Sequence, residues 1–324
     1  MKPAVLIIAP PDDAHALSLA AVMDQEFGVP AVIWDRGTLP TESQIDFRLD
    51  GPASDLRLDC ESDVYRLNDF RSVWWRRAAG FRISKAVTDP KVRDFCSSEC
   101  DAFFKGVLRS LDIPIINDPF AESVAARKPY QLAMARKVGL DVPKTLMSNS
   151  AERVRAFWEE LEGNCIYKPF TAPAWTFSET RMMTQEDVSH LDTLRHAPII
   201  VQEKIEKGVD VRVNIFGDAV FAAEVSINVP QADLDWRIDS TAEWRHHNLP
   251  DTVGYKLKAL LKVLRLQYGC IDMRQQPDGG YRFFEVNPSG QFLFAEIDTG
   301  QPLLRALAEV LVDPVAAASP PGGG

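Results

Sequence analysis

One stretch constrains this chain more than any other. From Cys270 to Asn287, two runs of alternating apolar and polar residues flank Asp278-Gly279, a dipeptide suited to a tight hairpin turn. Closing the hairpin there places Asp272 opposite Glu285 and Cys270 opposite Asn287. Alternation then puts Ile271, Met273, Phe284 and Val286 on one face and Asp272, Arg274, Glu285 and Asn287 on the other. Two carboxylates opposed at about 4.5 to 5.5 Å repel each other. Either a divalent cation lies between them, or Arg274 neutralises a solvated face. Oxygen-only donors of this kind suit Mg2+ or Mn2+ shared with phosphates, and do not suit zinc.

Three further features acquire weight beside this hairpin. Gly208 to Ile215 alternates in the same way, with Asp210, Arg212 and Asn214 sharing one face. It follows Ile199-Ile200-Val201-Gln202-Glu203-Lys204-Ile205, an apolar strand whose polar exit can present backbone groups to a purine ring. Lys168 ends the strand-like run Cys165-Ile166-Tyr167 before Pro169; it meets an anion there or is a surface-edge lysine. Lys128, at the start of the second unit, reads in isolation as a solvated helical lysine.

Length and composition bound the rest. A chain of 324 residues with 46% hydrophobic and 25% charged residues is an ordinary globular protein of about two domains. Its net charge of -10 opposes general binding to nucleic acid or anionic membrane. No apolar run approaches the roughly 18 residues of a membrane span, and Met1-Lys2-Pro3 leads into a short strand rather than a signal peptide, so a cytoplasmic location is expected. The five scattered cysteines fit a reducing compartment, and Cys96 and Cys100, four apart on a helix, lack a second ligand pair at zinc spacing. Neither G-x-x-x-x-G-K-[ST], strand-coupled G-x-G-x-x-G nor G-x-S-x-G occurs, and the five histidines form no ligand or triad spacing.

Along the chain, strand-like runs (Val5 to Ile8, Ala31 to Trp34, Ser72 to Trp75, Ile113 to Ile116) alternate with helix-like runs (Ala14 to Phe27, Lys91 to Leu111), which predicts a parallel sheet with covering helices. A break at Asn117-Asp118-Pro119 precedes one helix expected from about Ala121 to Val138, stopped by Gly139. Short strands joined by Gly217-Asp218 and Asp278-Gly279 follow, then a helix from Pro302 to Leu311 and a Pro/Gly/Ala tail expected to be disordered. The expected divisions are an N-terminal α/β domain (1–118), a central part (119–200), a C-terminal antiparallel part (201–313) and the tail (314–324).

The order Lys128, Lys168, Gln202-Glu203-Lys204-Ile205, Gly208-x-Asp210-x-Arg212, Asp272, Glu285-x-Asn287 resembles the ATP-grasp superfamily. Val73-Trp74-Trp75-Arg76-Arg77, Asp235-Trp236-Arg237, Gly269-Cys270-Ile271-Asp272-Met273 and Glu285-Val286-Asn287-Pro288-Ser289-Gly290-Gln291-Phe292 narrow it. They look like the graspetide synthetases, the microviridin-type maturases that close side-chain rings in a ribosomal peptide. The resemblance spans nearly all of residues 1 to 312.

That resemblance implies an ATP-grasp fold, in which central and C-terminal parts sandwich ATP. It implies that Lys128 and Lys168 hold ATP phosphates, that Gln202, Glu203, Lys204 and Ile205 line the adenine slot, and that Asp210 lies near the ribose or the lysines. Asp272, Glu285 and Asn287 would bind Mg2+, and Arg212 and Arg237 would steady the γ-phosphate and an acyl phosphate. Such an enzyme activates Asp or Glu side chains of a precursor peptide and joins them to Ser/Thr hydroxyls or Lys amines. The expected partners are that peptide, through a leader segment docked between Thr176 and His196 (Glu179, Glu186, Asp187, Asp192), and a second copy of the chain. Another carboxylate-amine ligase and a nucleotide-binding regulator without turnover are the alternatives. The segment Phe170 to Phe177 lacks the glycines of many ATP-grasp flaps, and Trp175 and Phe177 either cover the nucleotide or anchor a loop.

Overall fold

The computed structural model describes residues 3–51, 55–61, 63–171, 180–205, 208–226 and 241–314. Arg237, the Asp235-Trp236-Arg237 run, Trp175, Phe177, Glu179 and the expected disordered tail beyond Pro314 lie outside the described residues. The chain divides into two compact units, one running to Pro119 and resuming at Pro302, the other Phe120–Gln301.

In the first unit, β1 (Val5–Ile8), β2 (Ala31–Trp34), β6 (Ser72–Trp75) and β7 (Ile115–Ile116) pair in parallel in the order β2-β1-β6-β7. Helices α1 (Ala14–Val22) and α2 (Pro90–Arg109) supply the crossovers that parallel pairing requires. Between β2 and β6 the chain forms an antiparallel sheet of β3 (Gln44–Arg48), β4 (Asp55–Cys60) and β5 (Asp63–Arg66), which the alternation of the sequence did not single out. Its apolar positions are few: Ile45, Leu56 and Leu58 reach the core, while Val64 is exposed.

The second unit begins with two helices where one was expected, α3 (Pro119–Ala125) and α4 (Lys128–Lys137). Pro129 explains the break: a proline fits the first turn of a helix, but it has no N–H for the carbonyl four residues back and its ring clashes there, and that residue is Ala125, where α3 ends. Lys128 therefore stands at a helix start rather than mid-helix. The antiparallel sheet β10-β9-β11-β8 is built from β8 (Thr145–Ser148), β9 (Cys165–Lys168), β10 (Arg181–Met182) and β11 (Ile199–Glu203). It is backed by α5 (Ala151–Glu160) and α6 (Gln185–Ser189) through Val154, Val188 and Val201.

The second antiparallel sheet has the order β14-β13-β12-β15-β16, from β12 (Val209–Phe216), β13 (Ala219–Ser226), β14 (Glu243–His246), β15 (Tyr268–Gln275) and β16 (Tyr281–Asn287). Helix α7 (Asp251–Leu264) presents Leu257, Leu260, Leu261 and Leu264, an i, i+3, i+4, i+7 stripe, to Val211, Val213, Ile215, Ile271 and Met273. One face of the sheet is thus committed to the core, which leaves the alternate positions of β12, β15 and β16 for chemistry. A short helix, α8 (Leu293–Thr299), closes this unit. The last helix, α9 (Leu303–Val312), expected in the C-terminal part, belongs to the first unit, where Ser72 and Arg71 donate to the Leu311 and Val312 carbonyls. Among the described residues no helix is long and apolar enough to cross a membrane, and all five cysteines are free.

Candidate active site

The β15–β16 hairpin pairs Cys270 with Asn287, Ile271 with Val286 and Asp272 with Glu285, the expected partners, although the strands leave the turn out of register by one residue, with Gln275 opposite Tyr281. Beyond Asp272 the register shifts by one, so that Met273 faces Phe283 and Arg274 faces Arg282. The bulge changes which phenylalanine is core: Phe283 is fully buried beside Met273, whereas Phe284, expected there, is half-buried with the Arg274 guanidinium 5.9 Å from its ring centre. A bulge adds one residue to one strand and re-aims its side chains. Here it lies immediately beyond the two opposed carboxylates.

Those carboxylates converge. The Asn287 side-chain amide donates to Asp272 at 2.9 Å and to Glu285 at 3.2 Å. Arg212, the register partner of Asp272 on β12, donates to both of its oxygens at 2.7 and 2.8 Å and to the Gln291 carbonyl at 2.9 Å. Gly290 makes that approach workable, because a Cβ there would lie 2.4 Å from the Cys270 Cβ and 3.0 Å from the Arg212 guanidinium. Lys128 donates to Glu285 from the start of α4. Burial alone would raise the Glu285 carboxyl, but the Lys128 and Lys168 charges outweigh it and hold the group near a pKa of about 2. For Asp272, burial dominates and the Glu285 charge adds to it, so its carboxyl is pushed upward despite Arg212. The two acids thus differ sharply in environment, one held ionised by ammonium groups, the other disfavoured as an anion.

Lys168, at the end of β9, donates to the Gln202 side-chain carbonyl at 3.3 Å. Gln202 is 1% exposed and its amide donates in turn to Thr145 at 2.9 Å. Its side chain therefore aims Lys168, a part the sequence did not suggest. The Glu203 carboxylate accepts from the Lys144 backbone at 3.1 Å, and the Glu203 and Lys204 N–H groups donate to the Lys144 and Asn164 carbonyls at 2.8 and 3.1 Å. Asp210 is held by Arg274 at 2.7 and 2.9 Å. The structure brings Lys128, Arg212, Asp272, Glu285 and Asn287 into one network, with the Lys168 charge acting on it, and sets Asp210 in a separate ion pair.

Sequence reasoning missed Gln131. It is fully buried, donates to the Ala125 and Val286 carbonyls at 2.8 and 2.9 Å, and accepts from the Val286 N–H at 3.0 Å. It thereby completes the edge of β16 between Glu285 and Asn287. The signal was available: Gln131 lies three residues after Lys128, on the same helical face. In the stretch expected to receive a leader, Glu186 and Asp192 are exposed, while Asp187 is committed to capping α6 through Thr184.

The donor set fits a hard divalent cation. Among the described residues no three His, Cys, Asp or Glu side chains gather as a metal site. Two carboxylates are what the hairpin offers, and the Asn287 amide, whose nitrogen here bridges them, presents its oxygen instead after a half-turn about its last side-chain bond. Magnesium commonly binds with one or two protein carboxylates and takes its remaining ligands from water and phosphate.

Residues 4–123 match the family described as the MvdD pre-ATP grasp domain. The macrocyclase MdnC of Microcystis aeruginosa MRC, solved with its precursor peptide MdnA, is similar at 30% identity and a TM-score of 0.83, over 95% of this chain and 99% of that one. PsnB, an ATP-grasp ligase solved with a phosphomimetic variant of minimal precursor, Mg and ADP, matches at 26% identity and a TM-score of 0.79, over 96% and 98%. A RiPP-associated ATP-grasp ligase of Chryseobacterium gregarium, solved with ADP and a leader and core peptide, shares the fold at 24% identity and a TM-score of 0.87, over 95% and 96%. No curated protein matches by sequence.

Proposed function

The chain belongs to the graspetide synthetases, the ATP-grasp macrocyclases of ribosomal peptides, and from that premise we propose how its own residues carry the reaction. The substrates are ATP and an acidic precursor peptide. An Asp or Glu side chain of the peptide attacks the γ-phosphorus, the bond to the β-phosphate oxygen breaks, and ADP leaves. The resulting acyl phosphate is then displaced by a Ser or Thr hydroxyl, or by a Lys amine, of the same peptide. Inorganic phosphate and an ester or amide ring are the products.

The observation that carries this reading is Glu285 held between two lysine charges and directly opposite Asp272. Phosphoryl transfer depends chiefly on positioning and on neutralising charge, and little on a protein nucleophile. Lys128 and Lys168 supply cationic contacts for phosphate oxygens. Asp272, Glu285 and Asn287 would hold magnesium, or manganese in its place, which when bound neutralises triphosphate charge. On arrival of the nucleotide, Lys128 exchanges its Glu285 partner for phosphate, and Arg212, already anchored by Asp272 and Gln291, faces the group being transferred. Arg237 is proposed as a second cation at the acyl phosphate. Gln202 to Ile205 form the adenine slot.

Bringing two side chains of one flexible peptide together is an entropic problem, and binding a leader segment elsewhere offsets it. Exposed Glu186 and Asp192 mark the docking stretch in this reading. The reading also includes a homodimer and a cytoplasmic location. Mass spectrometry of an acidic Thr- or Lys-containing precursor, incubated with the protein, Mg2+ and ATP, tests it. Loss of one water per ring is expected. Phosphate release that requires free amino acids, with the peptide mass unchanged, would favour an ordinary carboxylate-amine ligase instead.

A further inference from the structure

Arg274 has no place in the chemistry above, yet it is 6% exposed and bonds to both Asp210 and the Ile205 backbone. The β12–β15 register sets it opposite Asp210. Its Nε and Nη2 donate to the two Asp210 oxygens at 2.7 and 2.9 Å, and its Nη1 donates to the Ile205 carbonyl at 2.9 Å. The planar guanidinium is thus orientated by a forked carboxylate bond and directs its remaining edge at one backbone oxygen. Ile205 lies two residues beyond β11, at the exit that carries the proposed adenine slot.

The same exit is fixed from its other side. The Glu203 and Lys204 N–H groups are taken by the Lys144 and Asn164 carbonyls. With the Ile205 carbonyl turned onto Arg274, the Lys204 carbonyl and the next donor, the Ile205 N–H, meet no partner among the described residues. An acceptor followed by a donor complements the adenine edge, which offers an exocyclic amine beside a ring nitrogen. A guanine edge offers a carbonyl beside a ring N–H, and so presents the opposite pattern.

Gly208 is fitted to this arrangement. A Cβ there would lie 2.3 Å from the Gln275 carbonyl oxygen and 2.8 Å from the Arg274 Cγ, so only glycine lets the chain pass so closely over the arginine stem. We infer that Arg274 is a positioning residue for purine selection: anchored by Asp210, it turns the Ile205 carbonyl away from the slot and leaves an adenine-complementary pair facing it. This deepens the proposed function and rests on its assignment of residues 202–205 to the nucleotide.

The test compares wild type with Arg274→Lys, which keeps a charge for Asp210 but cannot reach all three acceptors, and with Gly208→Ala, which displaces the arginine stem. Nucleotide affinity is measured by calorimetry with Mg-ATP and Mg-GTP, and peptide modification supplies KM and kcat. The expected result in both variants is a rise of about tenfold in KM for ATP and a fall of about tenfold in the preference for ATP over GTP, with kcat at saturating ATP and KM for peptide within about threefold of wild type. A residue that merely supports the fold would lower kcat and melting temperature together and leave purine preference unchanged. Unchanged preference in both variants, with wild type binding Mg-ATP normally, overturns the role of Arg274 alone. Failure of the wild type to bind Mg-ATP overturns the nucleotide reading, and this inference with it.

Discussion

Arg212 on β12 and Asp272 on β15 are direct partners across the sheet and join through two hydrogen bonds of 2.7 and 2.8 Å from a single guanidinium nitrogen. Both belong to the face that the core does not use. Their pairing offsets only part of what burial and the Glu285 charge do to Asp272, so its carboxyl stays disfavoured as an anion beside a Glu285 that the lysines hold ionised.

Removing one partner of a buried pair strands the other. Arg212→Met is expected to cost about 3 to 5 kcal/mol in urea unfolding, and adding Asp272→Asn to recover part of that loss. A single-variant loss below about 1 kcal/mol would mean that solvent already screens the pair.

The two adjacent phenylalanines of β16 make a sharper comparison. Phe283→Ala should cost about 3 to 5 kcal/mol, because Phe283 is fully buried, whereas Phe284→Ala should cost clearly less. Strict alternation through the hairpin predicts the reverse ranking, so paired denaturation curves decide whether the bulge exists in solution.

Gln202→Leu removes the acceptor that aims Lys168 while keeping an apolar side chain in a buried position. A rise of about tenfold in KM for ATP is expected, with KM for peptide little changed. Equal losses for both substrates would separate Gln202 from the nucleotide.

In the first unit, His15 is 7% exposed, and burial, assisted by Arg76 and Arg77 and opposed by Asp13, lowers its pKa from 6.5 to about 4. The unfolded chain then binds a proton that the folded chain refuses. The neutral ring's contribution is fully present above pH 6.5 and is lost as pH falls toward 4, by roughly 3 kcal/mol at most. Stability measured across that window should fall less steeply for His15→Gln than for wild type; parallel curves would show that His15 titrates normally.

Much of this was legible because it follows from period and turn chemistry. The alternation of the runs flanking Asp278-Gly279 marked the hairpin, and that of β12 put Arg212 on the face of Asp272 and Glu285; the turn itself closes out of register by one residue, with Gln275 opposite Tyr281, and the bulge restores the expected Asp272–Glu285 pair. The bulge was not legible, since Phe283 and Phe284 are both apolar and either fits the core. The split between α3 and α4 was signalled by Pro129 but masked by the continuous helical composition around it. Gln131 shares the helical face of Lys128, but its bonds to β16, like those by which Gln202 aims Lys168 and Arg274 holds Asp210 and Ile205, reach segments distant in sequence, which no local pattern encodes.

The most direct measurement follows dehydration of the precursor peptide by Glu285→Gln, with the variant's folding checked by its melting curve. With the charge that faces Asp272 and anchors Lys128 gone, the account predicts a loss of at least about 100-fold in the rate of water loss, at saturating peptide and with the fold intact. Undiminished dehydration by a folded Glu285→Gln protein would contradict the assignment of this hairpin to the metal and triphosphate.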